Sequence, residues 1–350
     1  MFIHLITTLL ILTGIQTTHS LIQPHITQEL VERINRYQDS WTSGPSEYFA
    51  HHSTQMIADL CGTFISDETT LPPNTYPFFR SPIQESFDAR TAWPECPVIG
   101  VPRDQANCGS CWAFASTEAF NDRLCIATNG SFQKILSPQD TVSCCGFLNC
   151  MSMGCNGGQP AAAWKFFQTT GVVTGGGYDD IGSGESCLPY GFQSCAHHVT
   201  DSSRPSCEDA KKGNTKCTAV CSESNYNTSY TDDKYHLDRS YGLHTVEEIQ
   251  TDIQRFGPVT AAFTVYADFP TYHSGVYHHT TGSQLGGHAV KIIGWGTESG
   301  EDYWLVMNSW NENWGDGGTF KIRRGTDECG IESMGVNGGT VRTSSLKVLD

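Results

Sequence analysis

The chain has 350 residues, of which 11% are aromatic and 15 are cysteine. This apolar and aromatic content excludes a mainly disordered protein, and the length suffices for two domains or one large one. The 21 Lys and Arg residues are outnumbered by 37 Asp and Glu residues, which gives a net charge of −16. So acidic a balance argues against a nucleic-acid-binding surface, which needs clustered cations facing phosphates.

The cysteines and the first residues predict export. Fifteen cysteines are too many for ordinary cytosolic use, and the odd number leaves at least one thiol without a partner in the chain. Residues 1–20 contain an apolar run from Leu5 to Ile15 followed by a short polar stretch, which predicts a secretory signal peptide. A membrane anchor is the alternative, but it would need about 20 apolar residues and a basic flank.

A detachable segment is predicted after the signal. Five apolar residues recur there at steps of three or four, which predicts one face of a helix: Ile26, Leu30, Ile34, Tyr37 and Trp41. Residues 66–86 carry four prolines among small polar residues, which is typical of an extended and accessible boundary. We therefore interpret residues 21–81 as a detachable segment and residues 82–350 as the main domain.

Helix signals lie mainly in the first half of the main domain. One helix is predicted to begin at Ser110, with Cys111 in its first turn, and to stop near Gly130. Ser137-Pro138 predicts another helix start.

The second half of the main domain shows mainly strand signals. A capping box at Thr245 opens one more helix, which ends before Gly257-Pro258. Apolar runs punctuated by glycine follow it, as in strands and tight turns. The sequence therefore predicts an α+β fold. Between the halves, residues 171–235 are rich in Gly, Ser and Cys, and we expect disulfides rather than a packed core to hold them.

The most informative motif is Gln105-Ala106-Asn107-Cys108-Gly109-Ser110-Cys111-Trp112. It contains the string C-G-[SA]-C-[WY], the known signature around a papain-type nucleophile. A thiol in the first turn of a helix faces the positive end of the helix dipole, which favours the thiolate. A redox C-x-x-C pair or half of a zinc site are the alternatives, but the chain lacks a thioredoxin-like pattern and a second clean C-x-x-C.

Two later strings supply the partners that a thiolate nucleophile needs, an acid/base and a residue that orients it. Gly286-Gly287-His288-Ala289-Val290 places His288 at the start of an apolar strand. Asn308-Ser309-Trp310 follows 20 residues later, after another strand. A lone histidine is most often a satisfied core residue, but the three strings together, in this order, predict a Cys-His-Asn site.

With these strings, the chain from about Pro82 to Gly339 resembles the papain-like cysteine proteases, and within them the cathepsin B group. The resemblance implies a helical left lobe and a β-barrel right lobe with the active site in the cleft between them. It implies that Cys111 is the nucleophile, His288 the general acid/base and Asn308 the residue that fixes the imidazole. Gln105 would bind the oxyanion together with the Cys111 backbone N–H. No metal and no organic cofactor is implied.

A further string resembles the inserted occluding loop of the cathepsin B group, here about residues 195–207 with His197 and His198. Cys111 and His288 are 177 residues apart, more than the roughly 130–150 of simpler relatives. Two imidazolium groups would bind a substrate's terminal carboxylate, so the resemblance implies release of C-terminal dipeptides beside endopeptidase activity. A surface tract or an adventitious metal site is the alternative for paired histidines.

The chain departs from the group's pattern at the loop and in one specificity pocket. Asn313 stands where the group has an Asp that pairs with the loop arginine, here Arg204. We therefore expect a looser loop and relatively more internal cleavage, although a contact between His197 and Asp104 can survive. Met334 replaces an acidic residue of the second specificity pocket, which predicts apolar or aromatic side chains there and poor cleavage after Arg-Arg. Other substrate contacts are implied for Gly157, Gly158, Ala289 and Trp310.

The resemblance also implies a disulfide pairing that spacing alone could not select. The six pairs are Cys96–Cys125, Cys108–Cys155, Cys144–Cys217, Cys145–Cys150, Cys187–Cys221 and Cys195–Cys207. Three free thiols then remain, at Cys61, Cys111 and Cys329. Asn129 and Asn227 each open an N-glycosylation triplet.

The implied protein is a monomeric zymogen of the secretory pathway, destined for the lysosome, the vacuole or the exterior. Its implied partners are protein and peptide substrates, its own propeptide as inhibitor, and cystatin-type inhibitors, with no nucleic acid and no membrane. The alternative from another class is a disulfide-stapled binding protein that kept the fold but lost turnover. A substitution at the nucleophile, base or oxyanion donor would indicate it, and none is seen. A zinc-dependent module is a third reading.

Overall fold

The computed structural model describes residues 25–45, 49, 52–65, 71–75, 82–195, 205 and 210–342, so the predicted signal peptide lies outside the described residues. The helices in this part of the chain are α1 Gln28–Tyr37, α2 Thr54–Leu60, α3 Ala89–Ala92, α4 Cys111–Ala127, α5 Pro138–Cys144, α6 Phe147–Cys150, α7 Pro160–Thr169 and α8 Val246–Phe256. The strands are β1 Trp41–Ser43, β2 Phe87–Asp88, β3 Ile135–Leu136, β4 Thr174–Gly175, β5 Leu237–Leu243, β6 Val259–Tyr266, β7 Tyr272–Tyr277, β8 Gln284–Glu298, β9 Glu301–Met307, β10 Thr319–Arg323 and β11 Val336–Val341.

Most strands belong to one nine-stranded sheet, to which the second half of the chain contributes every strand except β1 and β2. Its order is β1-β7-β10-β9-β8-β6-β11-β5, with β2 paired to β8. The pairing is antiparallel except between β7 and β10. Helices in the first half and strands in the second confirm the predicted α+β class.

Two hydrophobic cores lie on either side of α4. One belongs to the sheet and contains a dense group of aromatic rings that includes Phe263, Phe269 and Trp314. The other packs α4 against α5 and α7 through Trp112, Phe120 and Trp164 among others. Because α4 has neighbours on every side, almost all of its residues are buried. The nucleophile candidate at its first residue therefore stands on a rigid element between the two lobes.

The predicted helix starts are confirmed by their caps. Ser137 Oγ accepts the backbone N–H of Asp140 at 2.9 Å at the start of α5. Thr245 Oγ1 accepts the N–H of Glu248 at 3.1 Å at the start of α8. These bonds satisfy donors that the first turn of a helix otherwise leaves free.

The predicted helical face from Ile26 to Trp41 is wrong at both ends, because Ile26 precedes α1 and Trp41 follows it. Helix α1 ends at Tyr37, whose side chain is 73% exposed, and Trp41 begins strand β1. The Gln38 side chain bonds both backbone groups of Trp41, and β1 pairs with β7 far along the chain. A tertiary strand pairing therefore overrides the local spacing.

Five of the implied disulfides are present: Cys96–Cys125, Cys108–Cys155, Cys144–Cys217, Cys145–Cys150 and Cys187–Cys221. Cys195 is also disulfide-bonded, and its implied partner Cys207 lies outside the described residues. The free thiols among the described residues are Cys61, Cys111 and Cys329, as the resemblance implies.

Residues 171–235 contain more packed structure than their composition predicts. The disulfides Cys144–Cys217 and Cys187–Cys221 and a further one at Cys195 fasten the region, as expected. Tyr190 and Phe192 also form a small buried cluster with Phe114 of α4, although we expected no core there. The few aromatic residues of this polar region therefore pack against α4.

Buried ion pairs fasten α4 to the sheet lobe. Arg123 donates to the carbonyls of Pro258 and Gly339, both at 2.7 Å, and to the carboxylate of Asp252. Lys291 of β8 donates to Asp122 at 2.7 Å.

In the described part of the chain, no helix is both long and apolar enough to cross a membrane.

Candidate active site

Cys111 is the first residue of α4 and is completely buried. The Cys108–Cys155 disulfide and the hydrogen bond from Gly109 N to Cys155 O, at 3.1 Å, fix the backbone just before it. The predicted position in the first helical turn is confirmed. The thiol therefore lies where the helix dipole favours a negative charge.

His288 and Asn308 come from neighbouring strands and meet next to this helix start. His288 lies within β8, and Asn308 follows β9 directly. The imidazole Nε2 and the Asn308 Oδ1 are 2.8 Å apart. The Trp310 ring covers this pair, with its centroid 4.7 Å from that of the imidazole. The other ring nitrogen, Nδ1, is buried and is not used by Asn308.

The pKa of Cys111 indicates an activated thiol. Burial raises it, but the positive charge and hydrogen bonding of His288 lower it, helped by the Thr63 hydroxyl and the Ala289 amide. The net result is a pKa below the ordinary thiol value. A thiolate is the nucleophilic form of cysteine, so the arrangement suits attack on an electrophilic carbon.

Gln105 is buried beside Cys111 and is held from the sheet lobe. Its backbone N–H donates to Ser309 O at 3.0 Å, and its side-chain Oε1 accepts from Ser309 Oγ at 2.8 Å. This orientation aims the Nε2 amide into the cleft, where it donates to Leu60 O at 2.9 Å. An amide donor fixed in this way can bind an oxyanion.

The N-terminal segment, which we define as residues 25–65, passes over this cleft. Thr63 N donates to Gly287 O at 2.9 Å, and Phe64 N donates to Gly158 O at 3.0 Å. Gly158 N in turn donates to Gly62 O at 2.9 Å. The Thr63 hydroxyl oxygen lies 3.2 Å from Cys111 Sγ. The segment therefore contacts both walls of the cleft and covers the thiol.

Gly157 and Gly158 are both held to glycine, for different reasons. A Cβ on Gly157, where φ is +115°, would lie 2.6 Å from the Phe64 ring of the passing segment. A Cβ on Gly158 would lie 2.5 Å from the Trp112 ring of the body. The backbone of Gly158 meets the extended chain through its hydrogen bonds to Gly62 and Phe64.

Met334 is partly exposed and lies directly after the turn that contains Gly330. Its sulfur accepts from Thr264 Oγ1 at 3.6 Å, and its side chain fills the space beside Gly330. Ala289 is buried with Cys111 and Ala115 in one small cluster.

A second contact of the N-terminal segment lies away from the thiol. Strand β1 extends the sheet at β7, with Trp41 opposite Gly275. The Trp41 ring packs on Tyr277 at 5.1 Å and donates its indole N–H to His278 O at 3.1 Å. Phe49 adds an edge-to-face contact with Trp310 at 5.0 Å.

The predicted loop histidines, His197 and His198, lie outside the described residues, as does Arg204. Asn313 is exposed, and the carboxylate of Asp104 accepts from Ala106 N at 2.7 Å and from Asn311 Nδ2 at 3.0 Å. The glycosylation candidates Asn129 and Asn227 are both exposed. In the described residues, no group of three or more His, Cys, Asp and Glu side chains could hold a metal ion.

Comparison with known proteins identifies the family. Residues 83–338 match the papain family cysteine proteases. The chain is 50% identical over 257 residues to cathepsin B-like cysteine proteinase 4 of Caenorhabditis elegans, covering 73% of this chain and 75% of the relative. It is 43% identical to cathepsin B-like cysteine proteinase 5 of the same organism, covering 89% of each chain.

The chain belongs to the papain family of cysteine proteases. Within that family it is cathepsin B-like. The solved structure of proCathepsin B S9 from Trypanosoma congolense superimposes with a TM-score of 0.75 at 31% identity, covering 92% of this chain and all of that one. The recombinant stem bromelain precursor, at 23% identity and a TM-score of 0.64, shares the fold over 90% of this chain and 88% of its own. These matches establish the papain-like fold and the zymogen form of a cysteine peptidase.

Three contacts of this protease site were missed from the sequence. Leu60 contacts Gln105, and Thr63 contacts Cys111. Both belong to the N-terminal segment, which was predicted to be detachable but for which no individual contact residue was predicted. Tyr190 touches the backbone of Gln105 from within the polar region. Its position among glycines and cysteines carried no periodic pattern, so only its aromatic character could have marked it.

Proposed function

We propose that Cys111 is the nucleophile of this peptidase, with His288 as general acid and base and Asn308 as the residue that orients the imidazole. The observation that carries the proposal is the meeting of Cys111, at a helix start, with the His288–Asn308 pair from two strands. The lowered pKa of the thiol supports it. Trp310 shields the His288–Asn308 contact from water.

The reaction follows from these positions. The thiolate attacks the scissile carbonyl carbon and forms a carbon–sulfur bond, while Gln105 Nε2 and the Cys111 N–H bind the oxyanion. Protonated His288 gives its proton to the leaving amine as the carbon–nitrogen bond breaks. Neutral His288 then takes a proton from water, which hydrolyses the thioester and restores the thiolate and imidazolium.

We propose that residues 21–81 are the inhibitory propeptide and residues 82–350 the peptidase domain. Two contacts support its role as an inhibitor. The Thr63 hydroxyl oxygen lies 3.2 Å from Cys111 Sγ, and Gln105 Nε2 donates to Leu60 O at 2.9 Å. A chain bound in this way covers the nucleophile and uses the oxyanion donor.

The second specificity pocket is proposed to prefer apolar or aromatic side chains. Met334 and Ala289 would line it, and the Thr264 hydroxyl already contacts the Met334 sulfur. A thioether offers no ion pair to a substrate guanidinium. Comparable turnover of Arg-Arg and Phe-Arg substrates would contradict this preference.

Release of C-terminal dipeptides is proposed for the loop at about residues 195–207, with His197 and His198 binding the terminal carboxylate. Asn313 cannot form the group's ion pair with Arg204, so endopeptidase activity should be relatively high. An Asn313→Asp variant should shift the balance towards dipeptide release.

We further propose entry into the secretory pathway through residues 1–20, delivery to a lysosomal, vacuolar or extracellular location, and glycosylation at Asn129 and Asn227. Their exposure is consistent with modification.

One experiment tests the function. The purified zymogen is activated at mildly acidic pH with a reducing agent, and mass spectrometry follows a peptide with a free C-terminus beside its amidated twin. Dipeptides lost only from the free peptide would support His197 and His198 as carboxylate ligands. Internal cuts in both would support the Cys111 chemistry with an open loop.

The matched control is Cys111→Ser, which should cleave neither peptide. No cleavage by the wild-type protein, after demonstrated propeptide removal and with Cys111 intact, would overturn the peptidase proposal and favour a binding protein of the same fold.

A further inference from the structure

Tyr190 lies in the segment that leads to the predicted occluding loop, between Cys187 and Cys195, which are both disulfide-bonded. Its side chain is 1% exposed. The ring meets Phe114 edge-to-face at 4.8 Å and packs on Phe192 at 5.2 Å. Because Phe114 is one turn beyond Cys111 on α4, the ring is fixed against the helix that carries the nucleophile.

The Tyr190 hydroxyl connects the two ends of the nucleophile motif. It donates to Gln105 O at 2.9 Å, and it lies 2.9 Å from Ser110 Oγ, from which it can accept. Burial raises the pKa of Tyr190 far above that of an ordinary phenol, so the hydroxyl keeps its proton and remains a donor. Gln105 carries one proposed oxyanion donor, its side-chain amide. Ser110 directly precedes Cys111, whose backbone N–H is the other donor.

The peptide group that follows Gln105 needs such support. Ala106 has a φ of +53°, a left-handed conformation that a residue with a Cβ adopts only under constraint. Its N–H donates to Asp104 Oδ1 at 2.7 Å, while the carbonyl of the same peptide group accepts from Tyr190. The strained peptide unit is therefore clamped on both sides.

We propose that Tyr190 is a positioning residue that holds the two oxyanion donors at the spacing the transition state requires. The inference rests on the proposed thiol-peptidase function. Donors of this kind act on charge that develops only in the transition state, so their displacement lowers kcat more than it changes KM. Thiolate formation depends on His288 and not on this clamp, so the intrinsic reactivity of Cys111 should survive.

The test is Tyr190→Phe, which keeps the ring packing and removes the hydroxyl. We expect kcat to fall about tenfold, less than the roughly 10²–10³-fold loss typical when a donor is removed outright. Affinity for a peptide aldehyde, whose hemithioacetal places an oxyanion in the same position, should fall by a similar factor. KM and the rate of Cys111 alkylation by iodoacetamide, which forms no oxyanion, should change little.

The matched control is Tyr241→Phe, which deletes a buried hydroxyl that donates to Asp252 at 2.6 Å, away from the cleft. It should leave kcat and aldehyde affinity unchanged. Ser110→Ala, which removes the other hydroxyl of the clamp, should cause a smaller fall in the same two quantities. It also decides the question if Tyr190→Phe does not fold.

Unchanged kcat and aldehyde affinity in Tyr190→Phe would overturn the inference. So would a parallel loss of alkylation, because the whole site would then have collapsed. Failure of the proposed function is distinguishable, since wild-type protein with an alkylatable Cys111 would then turn over no peptide.

Discussion

The interface between the two lobes and the interface between the N-terminal segment and the body are built from different groups. The lobes are joined by buried charges, with Arg123 on Asp252 and Lys291 on Asp122. The segment is held by backbone hydrogen bonds, hydroxyls and aromatic rings, and between described residues no ion pair joins it to the body. Separating buried charges leaves an uncompensated ion, whereas neutral groups can move into water. The interface between the lobes is therefore suited to stay closed, and the interface of the N-terminal segment is suited to open.

The largest expected effect is on the interface between the lobes. Arg123→Ala leaves Asp252 buried without its cation and removes the donors to three carbonyls, those of Gly257, Pro258 and Gly339. Breaking a buried pair in this way typically costs about 3–5 kcal/mol. Urea unfolding measures the loss. Arg90→Ala, which breaks a partly exposed pair with Asp88, should cost about 1 kcal/mol or less, and equal losses would contradict the distinction.

The interface of the N-terminal segment should depend on its aromatic anchor. Trp41→Ala deletes an indole that is 3% exposed between the segment and β7. Large aromatic truncations cost about 3–5 kcal/mol in a core, so the zymogen should acquire activity before any cut. A fluorogenic peptide at neutral pH detects it. Tyr37→Ala removes a 73% exposed ring from the same segment and should leave the zymogen silent.

A moderate, pH-dependent effect is expected where Glu118 lies beside Lys291. Burial raises the pKa of Glu118, opposed by the charges of Lys291 and Arg103. The folded protein then holds a proton that the unfolded chain releases above about pH 4.3, so stability falls as the pH rises through the folded pKa.

Glu118→Gln should flatten this dependence between pH 4.5 and 7, because glutamine has no titrating proton. Urea midpoints at the two pH values measure it. The exposed Glu95→Gln variant should keep the wild-type slope, and an unchanged slope in Glu118→Gln would refute the assignment.

The smallest effect concerns salt. Because no ion pair between described residues holds the segment, raising the salt concentration should change its inhibition of the activated enzyme by less than about twofold. Inhibition by a synthetic peptide of residues 25–65, measured at low and high sodium chloride, provides the number. A tenfold weakening would indicate that charges hold the segment after all.

Local signals predicted the elements that carry the nucleophile and the helix starts. Cys111, Ser137 and Thr245 each lie where a helix begins, because capping depends on a few neighbouring residues. The roles assigned to His288 and Asn308 came from motif order, and the structure brings these residues together as expected.

What the sequence could not supply depends on contacts between distant residues. Trp41 continues a helical spacing but pairs with Gly275, more than 230 positions later. Tyr190 lies in a polar stretch and is buried only because α4 presents Phe114 to it. The disulfide pairs likewise depend on the fold, and the resemblance rather than the spacing selected them.

The N-terminal segment and the body form one covalent chain, so the segment meets the cleft at an effective concentration set by chain geometry rather than by the amount of protein. Short tethers hold this value at about the millimolar level. A single backbone cut turns the segment into an ordinary ligand whose occupancy follows mass action. In a dilute compartment it leaves, and in a small vesicle it rebinds. The onset of proteolysis is therefore governed by volume as well as by the cut itself.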